Sequence, residues 1–292
     1  MIERSHHQLR KAFGDLLRGN DCKFAASVFD PISVRMACDL GFEVAIQGGS
    51  VASLQVLGAP DIALLTLDEY VEQVSRVGRA SQIPIIADAD HGYGNALNVM
   101  RTVTELQKAG VAALTLEDTH LPARYDEQSP VLIELEEAAS KIYAARFARS
   151  DDALSIIART HVAVTTLEDS IARTTAYEKA GADAICLVGV KDFDHLDALT
   201  AHLSVPIMLI NYANPALSDV ERLNAGNVRI VVNGHAPYLA AIEATYAALR
   251  EQSGAEGNER SLPELLARYT LSDHYREWAK TYLKSGRDSN GV

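Results

Sequence analysis

The sequence is poor in cysteine and contains no long hydrophobic run. Its three cysteines, Cys22, Cys38 and Cys186, are odd in number and are not spaced like metal ligands. We therefore expect reduced thiols and a cytoplasmic location rather than disulfides or a zinc site. No stretch approaches the roughly 18 apolar residues of a transmembrane helix. The charged, helix-like first 20 residues predict no signal peptide.

Basic residues are also fewer than acidic ones. The chain has 27 Lys and Arg against 39 Asp and Glu, a formal net charge of −12. Such a chain cannot neutralise phosphates, so we exclude nucleic acid as a partner and expect no binding to an anionic membrane surface. With 48% hydrophobic and 23% charged residues over 292 positions, the composition is that of an ordinary globular protein with a large core.

Helix-to-strand transitions recur along the chain. In each, a glycine after a helical stretch precedes an apolar segment, as in residues 40–46, 109–114, 180–185 and 225–230. This pattern is typical of βα units with buried parallel strands. The apolar segments predict eight strands: residues 23–28, 44–47, 83–87, 113–116, 155–159, 184–188, 207–210 and 229–232.

Eight alternating units indicate an α/β fold, a (β/α)8 TIM barrel formed by a single domain over residues 1–292. An open, doubly wound sheet is the weaker alternative, since the glycine-rich phosphate motif typical of that fold is missing. Residues 255–292 follow the last unit and predict a helical tail. We expect this tail to contact another subunit.

Residues 83–95 predict a buried strand, a glycine turn and the start of a helix. Asp88 and Asp90 end the strand two positions apart, so their side chains would point the same way. Gly92 and Gly94 allow a sharp turn, and Asn95 is suited to cap the next helix. Two carboxylates at a glycine turn favour a hard cation such as Mg²⁺. The alternative is a pair of turn or capping aspartates.

Further polar residues follow the other predicted strands. Because the active sites of such barrels lie at the carboxyl ends of the strands, we expect them to converge on a site for a small, oxygen-rich molecule such as a 2-oxo acid. Taken singly, each has an ordinary structural explanation, such as a glycine turn, a rim ion pair or side-chain packing. The candidates are Gly49, Ser50, Asp61, Glu117, Arg159, Tyr212 and His235.

At these residues the chain resembles the isocitrate lyase/phosphoenolpyruvate mutase superfamily, from about Phe29 to about His235. The strongest matches are residues 58–69, Ala87-Asp88-Ala89-Asp90-His91-Gly92-Tyr93-Gly94-Asn95, and Leu116-Glu117-Asp118. The resemblance implies a barrel whose last helix is exchanged between subunits, in a homotetramer. It also implies Mg²⁺, with Mn²⁺ possible, and an α-oxo acid or enolate-forming substrate.

The resemblance also implies roles for individual residues. Asp88 would bind the metal directly, while Asp61, Asp90 and Glu117 would hold metal-bound waters. Arg159 would hold the substrate carboxylate, within a cradle formed by Gly49 and Ser50.

The departures from the superfamily pattern reduce the number of reactions that the chain is expected to catalyse. Its lyases carry a cysteine-containing loop after the fourth strand, whereas residues 119–127 here contain no cysteine, lysine or glycine. The oxaloacetate decarboxylase branch resembles the chain in having the counterparts of Tyr212 and His235. The expected reaction is therefore Mg²⁺-dependent decarboxylation of oxaloacetate, with His235 and Tyr212 at the C4 end of the substrate or at the enolate. The alternatives are a 2-methylisocitrate-type lyase, a phosphonate-cleaving relative, and a catalytically silent scaffold.

Overall fold

A parallel sheet of nine strands forms the centre of the protein. The structure is a computed structural model that describes residues 4–123, 130–255 and 260–283. The strands follow one another in the order β1-β9-β8-β7-β6-β5-β4-β3-β2. Their bounds are β1 Lys23–Phe24, β2 Ala26–Ser27, β3 Ala45–Gln47, β4 Ile85–Asp88, β5 Ala113–Glu117, β6 Ser155–His161, β7 Ala184–Val188, β8 Ile207–Ile210 and β9 Val228–Val232.

The predicted first strand, residues 23–28, is divided into two short strands. β1 pairs with β9, and β2 pairs with β3. The chain changes partner between Ala25, whose N–H donates to the Val231 carbonyl, and Ala26, whose N–H donates to the Val44 carbonyl. These two bonds join the opposite edges of the sheet, so the predicted barrel is confirmed. An open doubly wound sheet would have left both edges unpaired.

Helices alternate with the strands, and two short helices follow the last barrel unit. Their bounds are α1 His6–Arg18, α2 Pro31–Asp39, α3 Gly49–Ala52, α4 Leu67–Ala80, α5 Ala96–Ala109, α6 Leu135–Ala148, α7 Leu167–Ala180, α8 Phe193–Thr200, α9 Val220–Ala225, α10 Ala236–Ser253, α11 Leu262–Tyr269 and α12 Ser272–Tyr282. A π-helical turn, Ser53–Leu57, follows α3, and a 3₁₀ turn spans Pro215–Leu217. None of the helices in the described ranges is long and apolar enough to cross a membrane.

Local sequence signals account for several helix ends. The Asn95 side chain accepts hydrogen bonds from the backbone N–H groups of Leu97 and Asn98, as a cap should. Gly110 and Gly181 end α5 and α7 in the left-handed conformation, with φ of 96° and 98°. The helix before β9 differs from the prediction, because Gly226 has φ −78° and the left-handed residue is Asn227, with φ 60°.

The inside of the barrel is filled with apolar side chains, and α1 closes its amino end. Phe13 and Leu17 of α1 pack into one buried cluster with strand residues such as Ile86 and Ile230. The Arg10 side chain anchors this helix by donating to the backbone carbonyl of Val111, just before β5. Since α1 covers the amino ends of the strands, the carboxyl ends remain available for a site.

Candidate active site

A cavity of about 300 Å³ lies at the carboxyl ends of the strands. It brings together nearly all of the residues predicted from strand ends: Ser50, Asp61, Asp88, Asp90, Glu117, Arg159, Tyr212 and His235. Gly49 lies against its wall, where a Cβ atom would come within 2.7 Å of Asp90 Oδ1. Side chains spread over almost 190 positions of sequence therefore converge at one end of the barrel.

Arg159 connects two of the acids. Its guanidinium lies 3.0 Å from a carboxylate oxygen of Asp88 and, through its other terminal nitrogen, 3.0 Å from Glu117. The side chains of these three residues are 18%, 14% and 9% exposed. The arginine therefore lies among the carboxylates, where its planar shape suits two acceptors at once.

Two groups besides Arg159 hold the Asp88 carboxylate. Thr115 Oγ1 donates to its Oδ1 at 2.9 Å, and the Gly49 N–H points at Oδ2 from 3.5 Å. Burial opposes ionisation of Asp88, but Arg159 and the two hydrogen-bond donors outweigh it and lower the pKa of this carboxyl. Asp88 is consequently a preoriented anion at neutral pH.

Asp90 reaches the cavity by a turn rather than by continuing the strand. β4 ends at Asp88, and Asp90 has a left-handed backbone with φ 45°. Its carboxyl group lies against Gly49, where any side chain would collide with it. Gly92 and Gly94, with φ 79° and 143°, make the predicted turn that follows. The two aspartates do face one cavity, although strand alternation alone does not explain it.

The acids that line the cavity outnumber its cations. Burial, followed by repulsion from neighbouring carboxylates, raises the pKa of Asp61 and Asp90. Burial raises the pKa of Glu117, despite the opposing influence of Arg159. Among the described residues that line the cavity, Arg159 is the one permanent cation. Four carboxylates beside one guanidinium, with Asp88, Asp90 and Glu117 partly buried and Asp61 exposed, therefore fit an additional hard cation with oxygen ligands.

The arrangement suits a cation that keeps part of its water shell. Within residues 4–123, 130–255 and 260–283, no group of three or more His, Cys, Asp or Glu side chains forms a ready metal cage. Mg²⁺ is commonly bound through one or two carboxylates and several waters. The carboxylates that line the cavity are oxygen donors of the kind such an ion takes.

The imidazole of His235 packs directly against Gly48. Its Nδ1 is 2.7 Å from Ser27 Oγ, which fixes the orientation of the ring. A Cβ atom on Gly48 would come within 2.5 Å of the imidazole, so only glycine leaves room for it. Burial lowers the pKa of His235, and we therefore expect a neutral imidazole at neutral pH.

Tyr212 and Ser50 complete the predicted set. Tyr212 follows β8 with a left-handed backbone, φ 48°, and is 65% exposed at the cavity mouth. Burial of its hydroxyl raises the pKa of Tyr212, which keeps the phenol protonated at neutral pH. Ser50 lies in α3, directly after the two glycines. These residues supply hydroxyl groups where the cavity opens to solvent.

Asp118, adjacent to Glu117, points away from the cavity. Its Oδ2 accepts hydrogen bonds from Tyr177 at 2.6 Å and Thr160 at 2.8 Å, and is 3.3 Å from Arg173. Alternation along a strand directs adjacent side chains to opposite faces. Asp118 therefore belongs to a buried network between the sheet and α7.

Sequence reasoning did not identify three residues that support or line the site. Thr115 and Ser27 bond to Asp88 and His235, and His161 lines the cavity. The alternation rule would have found His161, which lies two positions beyond Arg159. No comparable signal marks Ser27, which is 208 positions from its partner.

Comparison with known proteins agrees with this geometry. The model of the phosphoenolpyruvate phosphomutase family matches residues 13–252. The chain is 87% identical over 290 residues to "Oxaloacetate decarboxylase 2" of Pseudomonas fluorescens (strain Pf0-1), covering 99% of this chain and 100% of that protein.

Solved structures show the same fold. Phosphonopyruvate hydrolase in complex with oxalate and Mg²⁺ superimposes with a TM-score of 0.75 at 28% identity, covering 96% of this chain and 100% of that one. Oxaloacetate acetylhydrolase in complex with the inhibitor 3,3-difluorooxaloacetate gives a TM-score of 0.75 at 28% identity, covering 97% and 100%. The resemblance described from the sequence is confirmed: the chain belongs to the phosphoenolpyruvate mutase/isocitrate lyase superfamily.

Proposed function

We propose that this protein is an oxaloacetate decarboxylase that converts oxaloacetate to pyruvate and CO2 with the help of a bound Mg²⁺. The observation that carries the proposal is the convergence of Asp88, Glu117 and Arg159 with His235 in one cavity. Near-full-length identity to a protein named for this activity supports it. Mn²⁺ shares the preference for carboxylate and water ligands and is a second candidate for the metal.

The reaction requires little of the protein besides binding and stabilisation of charge. When the C3–C4 bond breaks, CO2 leaves and its electron pair stays on the remaining fragment as the enolate of pyruvate, so no base is needed for cleavage. A bound divalent cation would act as a Lewis acid at the oxo group, an effect worth several kcal/mol. Asp88 would bind this ion directly, and Asp61, Asp90 and Glu117 would bind its waters.

The other residues would orient the substrate and return a proton. Arg159 and Ser50, with the N–H groups around Gly49, would bind the carboxylate next to the oxo group. His235 and Tyr212, which also line the cavity, would contact the C4 end of the substrate or the enolate. One of the two would protonate C3 of the enolate, a step that typically contributes about 10²–10⁴-fold. A chain that only decarboxylates would need no counterpart of the lyase cysteine, which residues 119–127 lack; positions 124–129 lie outside the described residues.

Pyruvate formation from oxaloacetate tests this function. The protein should release pyruvate with Mg²⁺ and lose that activity with EDTA, after subtraction of the spontaneous metal-catalysed reaction. Succinate formation from 2-methylisocitrate, or phosphate formation from phosphonopyruvate, would instead favour one of the lyase alternatives. Absence of Mg²⁺ and oxalate binding in a calorimetric titration would favour a scaffold.

We expect His235→Gln to raise KM for oxaloacetate by about tenfold or more, because the flexible amide does not hold its N–H in the position that Ser27 fixes for the imidazole. Mg²⁺ affinity, measured by calorimetry, should change less than twofold to threefold. Ser27→Ala is the matched variant, since it removes the partner of Nδ1 and should reproduce part of the effect. An unchanged kcat/KM in His235→Gln would refute the role of this residue.

We also propose that the protein is a homotetramer of helix-exchanged dimers, located in the cytoplasm. Support for the exchange comes from α10, the last barrel helix, which has 18 residues of which none is buried. Such a helix needs another surface to pack on, and a second copy of the barrel supplies one. Residues 255–292 are proposed to extend this single-domain barrel as a helical tail, of which residues 256–259 and 284–292 lie outside the described ranges. Light scattering should give the mass of four chains.

A further inference from the structure

His161 lines the cavity but has no part in the proposed reaction. β6 has seven residues and continues two positions past Arg159, to His161. The intervening Thr160 bonds to Asp118 on the outer side of the sheet, so alternation places His161 on the same inner wall as Arg159. A spacing of two residues in a strand moves the ring roughly 6–7 Å closer to the cavity mouth.

Arg159 is already engaged deeper in the cavity. Its two terminal nitrogens are bonded to Asp88 and Glu117, and under the proposed function its remaining donors would bind the carboxylate next to the oxo group. Oxaloacetate carries two carboxylates at neutral pH, and the second must avoid the four acids. Besides His235 and Tyr212, a further hydrogen-bond donor nearer the mouth would hold it, at a distance comparable with the span of a four-carbon diacid.

The surroundings of His161 leave its ring available for such a contact. Its Nδ1 is buried without a hydrogen-bond partner among the described residues, unlike Nδ1 of His235, which Ser27 holds. Gly189 lies beside the ring with φ 83°, and a Cβ there would come within 3.0 Å of the imidazole. An N–H on this enclosed nitrogen would have no acceptor, which is costly, so we expect the neutral ring to carry its proton on Nε2, the nitrogen left for a ligand in the cavity that His161 lines.

We propose that His161 is a specificity-determining residue, whose imidazole N–H binds the substrate carboxylate remote from the oxo group. The inference rests on the proposed function, because it assigns a binding residue to the far carboxylate of the same substrate. It makes the site selective for four-carbon 2-oxo diacids over shorter 2-oxo acids, which lack the second carboxylate. Burial also lowers the pKa of His161, so we expect the ring to act as a neutral donor.

Two ligands of different length test the assignment. Oxalate offers only the part of the substrate bound near Arg159, while 3,3-difluorooxaloacetate also carries the remote carboxylate. Kd values measured by calorimetry with Mg²⁺ present should show that His161→Phe weakens the binding of 3,3-difluorooxaloacetate by at least about tenfold. This is the effect expected for loss of a hydrogen bond to a charged group. Oxalate affinity should stay within about twofold, which also verifies that the variant is folded.

Two further variants sharpen the comparison. His161→Asn keeps an N–H donor and should recover part of the affinity for the longer ligand. His202→Phe makes the same substitution at an exposed histidine and should change neither Kd. Equal weakening of both ligands by His161→Phe, or no weakening of either, would overturn the assignment. Because binding is measured separately from turnover, failure of wild-type protein to release pyruvate would overturn the proposed reaction while leaving the His161 result interpretable.

Discussion

Asp88→Ala is expected to lower the metal-dependent kcat/KM for oxaloacetate by at least about 10³-fold. Loss of the proposed direct metal ligand removes a Lewis acid worth several kcal/mol, and each 1.36 kcal/mol corresponds to about tenfold in rate. The variant should also show no measurable Mg²⁺ binding by calorimetry. Pyruvate release, corrected for the spontaneous reaction, gives the rate.

Two companion variants separate the metal role from folding. Asp88→Asn preserves the shape of the side chain and should be nearly as impaired, since the charge is lost. Asp68→Ala removes an aspartate whose side chain is 77% exposed and paired with Arg101, and should leave activity within about twofold. Retention of Mg²⁺ binding and of turnover within tenfold of wild type in Asp88→Ala would contradict the assignment.

Arg159→Met is expected to affect stability as well as activity. It leaves two largely buried carboxylates, Asp88 and Glu117, without their shared cation. Breaking a buried ion pair from one side typically costs about 3–5 kcal/mol. We expect a loss of that order in the free energy of unfolding, measured in urea without metal, and a fall in kcat/KM of at least about 10²-fold.

The loss of stability should depend on pH in a defined direction. Arg159 contributes to lowering the pKa of Asp88 below its ordinary value of 3.8. A carboxyl with a lowered folded-state pKa stabilises the protein above its unfolded-state pKa, and this stabilisation is lost as pH falls through the folded-state value. The difference between wild type and Arg159→Met should therefore be full at neutral pH and shrink in the acid range, as Asp88 becomes protonated first in the variant and then in the wild type.

Arg159→Lys and Arg101→Met serve as the matched variants. A lysine keeps the charge but cannot bridge two carboxylates with a planar fork, so we expect partial recovery of stability and poor activity. Arg101 forms an exposed ion pair with Asp68, and such pairs contribute about 0–1 kcal/mol. Equal destabilisation by Arg159→Met and Arg101→Met would argue against a stabilising role for the buried bridge.

The elements of the barrel were largely predictable because their signals are local. Continuous apolar segments after a glycine located strands such as β5 and β7 to within one residue. Asn95 as a cap and Gly92 and Gly94 as a turn also follow from neighbouring residues alone. The division of residues 23–28 into two strands was not predictable, because it depends on which edge of the closed sheet each residue meets.

Several of the residues that line the cavity were predictable, but the hydrogen bonds and ion pairs between them were not. Strand-end positions selected Asp88, Glu117 and Arg159 as candidates, and the three residues line one cavity. The same reasoning did not separate Glu117 from Asp118, which face opposite sides of the sheet. It also did not predict the ion pairs that Arg159 forms with two of the acids, Asp88 and Glu117.

The sequence by itself determined the repeating βα architecture, the excess of acids at strand ends and the chemistry these acids favour, since each depends on residue type and short-range spacing. Only the tertiary structure decided which groups bond to one another. Arg159 and Asp88 are 71 positions apart, and Ser27 and His235 are 208 apart. Contacts over such separations are set by strand register and by closure of the barrel, which no local pattern encodes.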